Sequence, residues 1–347
     1  MDWLDLDTKS KTTPRSYYYL NNLYQCNLSA LFNLGQTCYL NAVTQCLAYS
    51  QPLAKYVLQG DYHSRANLLM MEYAKLAKTM YSDQNRIRPI QFYKAFLRSF
   101  KTPAHQQEDA HEVLLHILDQ FHENLKRPST IYRDFNHDNP LIQKSLNYIK
   151  NVPISPINQI FMGQLHQRTQ CTKCRHLNHS FPTFLNLQLP LASSTLLNTN
   201  KKYIKITDMI ADFCHKEKIT FTCEHCKTKN VDAHKKITIW RLPEILILTL
   251  GRFNPDYTKN DQHVDFDLED LDLTKFLTYP VISKQYYDLY ATVNHQGRSL
   301  DFGHYISQVK YRNNWLKIDD EVVTRLNPDD VINNSAYILF YRRNPYF

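Results

Sequence analysis

Glycine is scarce in this chain, at six of 347 residues. Each one is therefore expected where the backbone demands it, at a tight turn or a close approach. No stretch comes near the roughly 20 uninterrupted apolar residues that span a bilayer, so no membrane is expected as a partner. Residues 1–11 alternate acidic and apolar side chains. They lack the basic-then-apolar order of a secretory signal, and the expected location is intracellular. Internal repeats and low-complexity tracts are also missing. Lys and Arg outnumber Asp and Glu by 41 to 33, a net charge of +8. The basic residues are scattered and form no nucleic-acid arm, so the excess reads as a soluble surface and no nucleic acid is required.

What the chain does have is apolar and aromatic mass. Hydrophobic residues make up 43%, and 24 tyrosines and 17 phenylalanines are among the aromatics, which excludes a disordered chain. A chain this long buries a substantial core.

Eight cysteines are present, and four of them form two Cys-x-x-Cys pairs, Cys171/Cys174 and Cys223/Cys226. With nothing pointing to secretion, reduced thiols are the default, in cytoplasm or nucleus. A two-residue gap lets both thiolates of a pair reach one tetrahedral ion, and two pairs complete a structural zinc site. The two pairs are separated by residues 175–222, more than a compact zinc ribbon holds. The chain must travel out and return, and a strand over Phe181–Leu191 and a short helix over Thr207–His215 would allow it. A redox Cys-x-x-Cys is the competing account of either pair taken alone. Four thiolates would close the coordination shell, so one Zn2+ ion would serve folding and not chemistry.

Periodicity divides the chain in two. The spacing predicts helices over Cys38–Ser50, Arg65–Ser82, Ile90–Phe100 after Pro89, and Glu108–Leu125, with Arg127–Pro140 as a loop. After about residue 157 the period shifts toward two. Strands are expected over Ile160–Gln170, Phe181–Leu191, Lys235–Leu242, Glu244–Phe253, Tyr286–Asn294, His304–Tyr311, Asn314–Ile318 and Ala336–Arg342. Helices first and strands later is an α+β pattern. The acidic stretch Asp256–Asp272 stands out against the basic chain.

Three separated residues suggest nucleophilic chemistry. Cys38 follows Asn33-Leu34-Gly35-Gln36-Thr37 at the expected start of a helix, where the dipole favours a thiolate. Asn33 is placed to turn its amide toward an oxyanion. A buried structural cysteine behind a polar capping loop is the alternative. Late in the chain, Gly303-His304-Tyr305 is followed by Trp315 through Asp320. A hairpin turning near Arg312–Asn314 would set His304 beside Asp319, leaving the other ring nitrogen free to face a thiol. His295 is the rival base, with no carboxylate at hairpin distance.

These segments resemble the ubiquitin-specific proteases. The family's cysteine box is matched by Leu31-Phe32-Asn33-Leu34-Gly35-Gln36-Thr37-Cys38-Tyr39-Leu40-Asn41-Ala42. Its histidine box is matched by Tyr287 through Gly297, Gly303-His304-Tyr305 and Trp315 through Asp320. Gln107-Glu108-Asp109-Ala110-His111-Glu112 looks like the glutamine–aspartate box, and Leu250-Gly251-Arg252-Phe253 and Leu271-Asp272-Leu273 look like two further signatures. Together they cover about residues 30–342 in the family's order.

The resemblance implies a papain-like fold with a helical thumb, an antiparallel β palm and zinc-bearing β fingers. It implies an N-terminal extension at 1–28 and a catalytic domain at 29–343. Within that domain the thumb would be about 29–156, and fingers and palm about 157–343, with the zinc-bearing region at about 165–240. Cys38 would be the nucleophile, His304 the general base, Asp319 its orienting partner, Asn33 an oxyanion donor and Asp320 a support for that end. Asp109 and Glu112, one helical turn apart, would face the arginine-containing tail of ubiquitin, with Gln107 and Tyr305 also on the substrate side. Cys171, Cys174, Cys223 and Cys226 would hold the zinc. The implied activity is release of ubiquitin from conjugated proteins, with an adaptor protein as a possible partner. A catalytically weak ubiquitin-binding scaffold and a protease for a ubiquitin-like modifier are the alternatives.

Overall fold

The computed structural model describes residues 29–60, 67–81, 86–128, 137–191, 203–254, 258–279, 284–300 and 302–344. The expected extension at 1–28 and Asp256 of the acidic stretch lie outside the described residues. Among the described residues of the first part there are seven helices: α1 (Cys38–Ala48), α2 (Gln51–Gln59), α3 (Leu68–Met80), α4 (Ile90–Phe100), α5 (Ala110–Leu125), α6 (Pro140–Ile149) and α7 (Pro156–Phe161). Every residue of α1 is buried, so this helix lies at the centre and not on the surface. Caps close several N-termini. The side chains of Asn67, Asp109, Asn139 and Ser155 accept from the first free backbone N–H groups of α3, α5, α6 and α7.

Helices α2, α6 and α7 were not expected. They have 9, 10 and 6 residues and carry proline in the first turn, at Pro52, Pro140 and Pro156. Proline is at home there because a first-turn residue has no N–H partner to lose, yet it reads locally as a break. The expected loop Arg127–Pro140 thus ends as a helix begins, while residues 129–136 lie outside the described residues.

Strands β1 (Ala30–Leu31) and β2 (Arg86–Ile87) pair in parallel. After the helices come β3 (Gly163–Cys171), β4 (Leu177–Ser180), β5 (Thr183–Phe184) and β6 (Leu187–Pro190), then β7 (Ile204–Lys205) running into α8 (Ile206–Phe213). Next are β8 (Lys216–Cys223), β9 (Thr228–Arg241), β10 (Ile245–Gly251), β11 (Val264–Asp265) and β12 (Leu271–Asp272). Last are β13 (Tyr286–Gly297), β14 (Gly303–Tyr311), β15 (Asn314–Asp319), β16 (Val322–Leu326) and β17 (Ala336–Arg343).

Two sheets result. The five-stranded one runs β4-β3-β9-β8 with β5 beside β3, and it carries both Cys-x-x-Cys turns. The eight-stranded one runs β16-β15-β14-β13-β17-β10-β6, with β12 pairing β13. The single strand expected over Phe181–Leu191 is broken, because β5 pairs with β3 in one sheet and β6 pairs with β10 in the other. The strand expected from Ile160 starts at Gly163, since Pro156–Phe161 is helical.

The large sheet is covered on both faces, and alternation decides which side chain goes where. On β17, Ile338 and Phe340 join the core shared with the helices, while Leu339 and Tyr341 join a second core that includes α8. On β14, Tyr305 and Val309 face α1. This packing of α1 on β14 brings the front and back of the chain together.

Candidate active site

The loop before α1 is knotted on one side chain. Asn33 Oδ1 accepts from the N–H of Gly35 at 3.0 Å, the N–H of Thr37 at 3.1 Å and the Thr37 hydroxyl at 3.2 Å. Gly35 takes φ +94°, a conformation side chains resist. The knot makes Cys38 the first residue of α1, 3% exposed. The Gln107 side-chain amide lies against its sulfur, with Nε2 at 3.7 Å and Oε1 at 3.8 Å.

From the other end of the chain, β14 and β15 form the expected hairpin, with Tyr311 opposite Asn314. It sets His304 Nε2 2.7 Å from Asp319 Oδ1. The His304 imidazole is pushed up to about 9, first by a hydrogen bond with Cys38 and then by Asp319, against a partial loss of hydration. One ring nitrogen thus meets the carboxylate, on a strand that packs against α1. The second Asp319 oxygen is 3.4 Å from Lys317 Nζ. His295, the rival base, is fully buried, and neither ring nitrogen has a hydrogen-bond partner among the described residues. Burial pushes its pKa down to about 4, and its ring packs edge-on to Phe253. It is a packing residue between Phe253 and Tyr305. A Cβ on Gly303 would come within 2.1 Å of His295 Nε2, so the glycine before His304 is demanded by packing.

Asp320 turns the other way at a left-handed φ of +49°. Its two oxygens accept from Asn33 Nδ2 and Asn41 Nδ2, each at 2.8 Å, and its carbonyl accepts from Leu31 N–H at 3.2 Å. Burial holds its carboxyl above the usual range, opposed by those two amides. Asn41 stands in the cysteine box, but its role went unread in the sequence. A buried amide one turn beyond Cys38, on a helix otherwise rich in apolar residues, was the available signal.

Asp109 is the N-cap of α5, and the exposed Glu112 follows in its first turn. One Asp109 oxygen accepts from His111 N–H at 2.8 Å, and both are 2.9 Å from the Tyr337 hydroxyl. Tyr337 had no sequence signal. Tyr305 is 1% exposed with its ring 4.7 Å from that of His295, so in this structure it packs behind the cleft.

The four paired cysteines meet far from this site. Their sulfurs lie within 4.8 Å of one another, Cys174 and Cys223 at 3.7 Å. Four Zn–S bonds of about 2.3 Å would space sulfurs about 3.8 Å apart, so the donor set fits a tetrahedral ion. It also fits the antiparallel β8–β9 and β3–β4 turns that present it.

A family profile described as ubiquitin carboxyl-terminal hydrolase matches residues 29–341. The chain belongs to that family. Ubiquitin carboxyl-terminal hydrolase 17-like protein C of Mus musculus is 31% identical over 320 residues, covering 90% of this chain and 54% of the relative. Ubiquitin carboxyl-terminal hydrolase 2 of Rattus norvegicus is 30% identical over 358 residues, covering 96% and 56%. The chain thus spans about half the length of these curated relatives. Among solved structures, a SAGA DUB module of Ubp8, Sgf11, Sus1 and Sgf73 bound to monoubiquitin superposes with a TM-score of 0.74 at 21% identity, covering 99% of this chain and 73% of that one. The module bound to ubiquitin aldehyde gives 0.70 at 22%, covering 91% and 70%. The α+β fold is therefore the papain-like arrangement of the ubiquitin-specific hydrolases. No helix among the described residues is long and apolar enough to cross a membrane.

Proposed function

We propose that the chain is a deubiquitinating cysteine protease that hydrolyses the isopeptide or peptide bond after the C-terminal glycine of ubiquitin. The single observation that carries this is the His304–Asp319 pair, 2.7 Å apart, on the hairpin that packs against the helix beginning at Cys38. The Cys38 thiolate attacks the glycine carbonyl carbon, and the carbonyl oxygen takes the negative charge. Asn33 Nδ2, which gives one hydrogen to Asp320, has a second for that oxygen, and Gln107 Nε2 lies beside the sulfur as another donor. Asp320 is thus a positioning residue for Asn33. His304 gives its proton to the departing lysine amine as the carbon–nitrogen bond breaks. A water then loses a proton to the same imidazole and attacks the thioester, releasing ubiquitin with a free carboxylate and restoring the thiolate. Asp319 keeps the ring oriented throughout.

Asp109, Glu112 and Gln107 are assigned to the cleft that receives the ubiquitin tail, with the exposed Glu112 carboxylate open to a guanidinium, while the buried Tyr305 backs that cleft without lining it. We assign the catalytic domain to 29–343, with thumb, palm and fingers as in the bounds above. Cys171, Cys174, Cys223 and Cys226 hold one structural Zn2+, whose chemistry is to tie two turns of the fingers sheet together. Ubiquitinated proteins are the substrates. An adaptor is a further proposed partner, supported by the multi-protein modules in which the structural neighbours were solved. The free thiols suit a reducing cytoplasm or nucleus. Replacing Cys38→Ala and following hydrolysis of a ubiquitin C-terminal fluorogenic amide tests the reading; turnover of the variant at the wild-type rate sinks it.

A further inference from the structure

Among the described residues, two cations outside the reacting groups are enclosed, Arg252 and Lys259. The Lys259 side chain is 3% exposed, in the loop that follows β10. Its ammonium donates to the carbonyl of His295 at 2.8 Å and of Gly297 at 3.1 Å, and pairs with Asp261 at 2.8 Å. Three N–H donors meet three acceptors, so the group is fully satisfied. A buried ammonium is costly unless paired and bonded in this way, and an isolated lysine stem would reach water.

The two carbonyls it grips lie on β13, either side of Gln296. Gln296 is the residue directly opposite His304, and Gly297 is opposite Gly303. The His295 ring fills the space a Gly303 side chain would need, so the backbones of 295–297 and 303–304 are in close register. The loop itself is anchored at its base by the buried Arg252, which donates to the carbonyls of Asn260 and Gln262 at 2.9 and 3.0 Å. Lys259 is therefore a rigid strut between that loop and the hairpin carrying the imidazole.

We propose that Lys259 is a positioning residue for the reaction: it fixes the β13–β14 hairpin so that His304 meets Cys38. This rests on the reading of Cys38 and His304 as nucleophile and base. A lysine that merely held its own loop would bond within that loop. This one spends two of its three donors on the strand paired with His304.

The test measures the Cys38–His304 pairing without ubiquitin. Wild-type chain and Lys259→Met are alkylated with iodoacetamide across pH, and the Cys38 adduct is quantified by mass spectrometry. Ile245→Val, a remote core change, controls for lost stability. Expected is a Cys38 alkylation rate about tenfold lower at pH 7 in Lys259→Met, with a displaced pH midpoint, and a wild-type profile in Ile245→Val. A wild-type rate and midpoint in folded Lys259→Met overturns the proposal, even if ubiquitin hydrolysis falls. Should Lys259→Met not fold, Asp261→Asn decides, since its carboxylate is exposed. A two- to threefold loss supports the strut and an unchanged profile refutes it. Failure of the wild type to release ubiquitin would instead count against the proposed function and leave the alkylation result standing.

Discussion

Replacing Asp320→Asn should separate the support of the proposed oxyanion donor, Asn33, from the donor itself. Asparagine tolerates the left-handed φ of +49°, so the backbone is spared. The carboxylate accepts two amide hydrogen bonds at 2.8 Å, from Asn33 and Asn41. A side-chain amide keeps one acceptor oxygen and turns an NH2 group toward the other donor. One bond to an ionised acceptor is lost, worth about 1.5–3 kcal/mol, and two donors are left facing each other. We expect about 2–3 kcal/mol of destabilisation and a Tm lower by roughly 4–8 °C, measured by calorimetry. Removing an oxyanion donor outright costs about 100- to 1000-fold in kcat. Asn33 is still tied through its carbonyl to Gly35 and Thr37, so its amide is loosened and not lost. A kcat about tenfold lower with little change in KM is the expected outcome. The decisive assay is the double-mutant cycle with Asn33→Ala on a ubiquitin C-terminal amide. If Asp320 acts through Asn33, the double variant is no slower than Asn33→Ala alone. Multiplying losses would refute the reasoning, as would an undiminished kcat in Asp320→Asn.

Three other outcomes follow from the same geometry. Metal analysis of the purified chain should find one zinc per molecule, and a strong chelator should lower Tm by loosening the five-stranded sheet; a folded, metal-free chain of unchanged Tm would count against the ion. The His304 resonance should titrate near 9 and fall in Cys38→Ala, because the sulfur is the first cause of the rise. Since that value lies above the 6.5 of an unperturbed histidine, the stabilisation it brings is complete below about pH 6.5 and disappears as pH climbs through about 9. An unmoved midpoint in Cys38→Ala would mean the sulfur is not its source. Gly303→Ala should lose most turnover, because the added Cβ meets the buried His295 ring at 2.1 Å; a fully active variant would show that the ring has room to move.

Much of the chemistry was readable locally. Gly35 and the polar residues around it marked the turn that ends at Cys38. The regular apolar stripe of Ala110–Leu125 marked the longest helix, and two Cys-x-x-Cys pairs marked the sulfur cluster. Each of these signals lies within a few residues of chain, where spacing maps directly onto geometry. The hairpin carrying His304 and Asp319 was legible for the same reason, since a tight turn sets the register of both strands. Helices α2, α6 and α7 were not, because fewer than three turns give too little periodicity to outweigh a proline.

Other assignments needed the packed molecule. Tyr337 closes both oxygens of Asp109 from 228 positions away, and Asn33 and Asn41 reach Asp320 across 287 and 279. The burial of His295, the approach of Gln107 to the sulfur and the strut from Lys259 to β13 also arise from packing between separate elements. The sequence by itself determined which side chains could do chemistry and which short segments would present them. Only the tertiary structure decided which of them meet. Residue type and spacing specify local conformation, whereas contacts between remote segments depend on how α1 and the large sheet bury their apolar faces together.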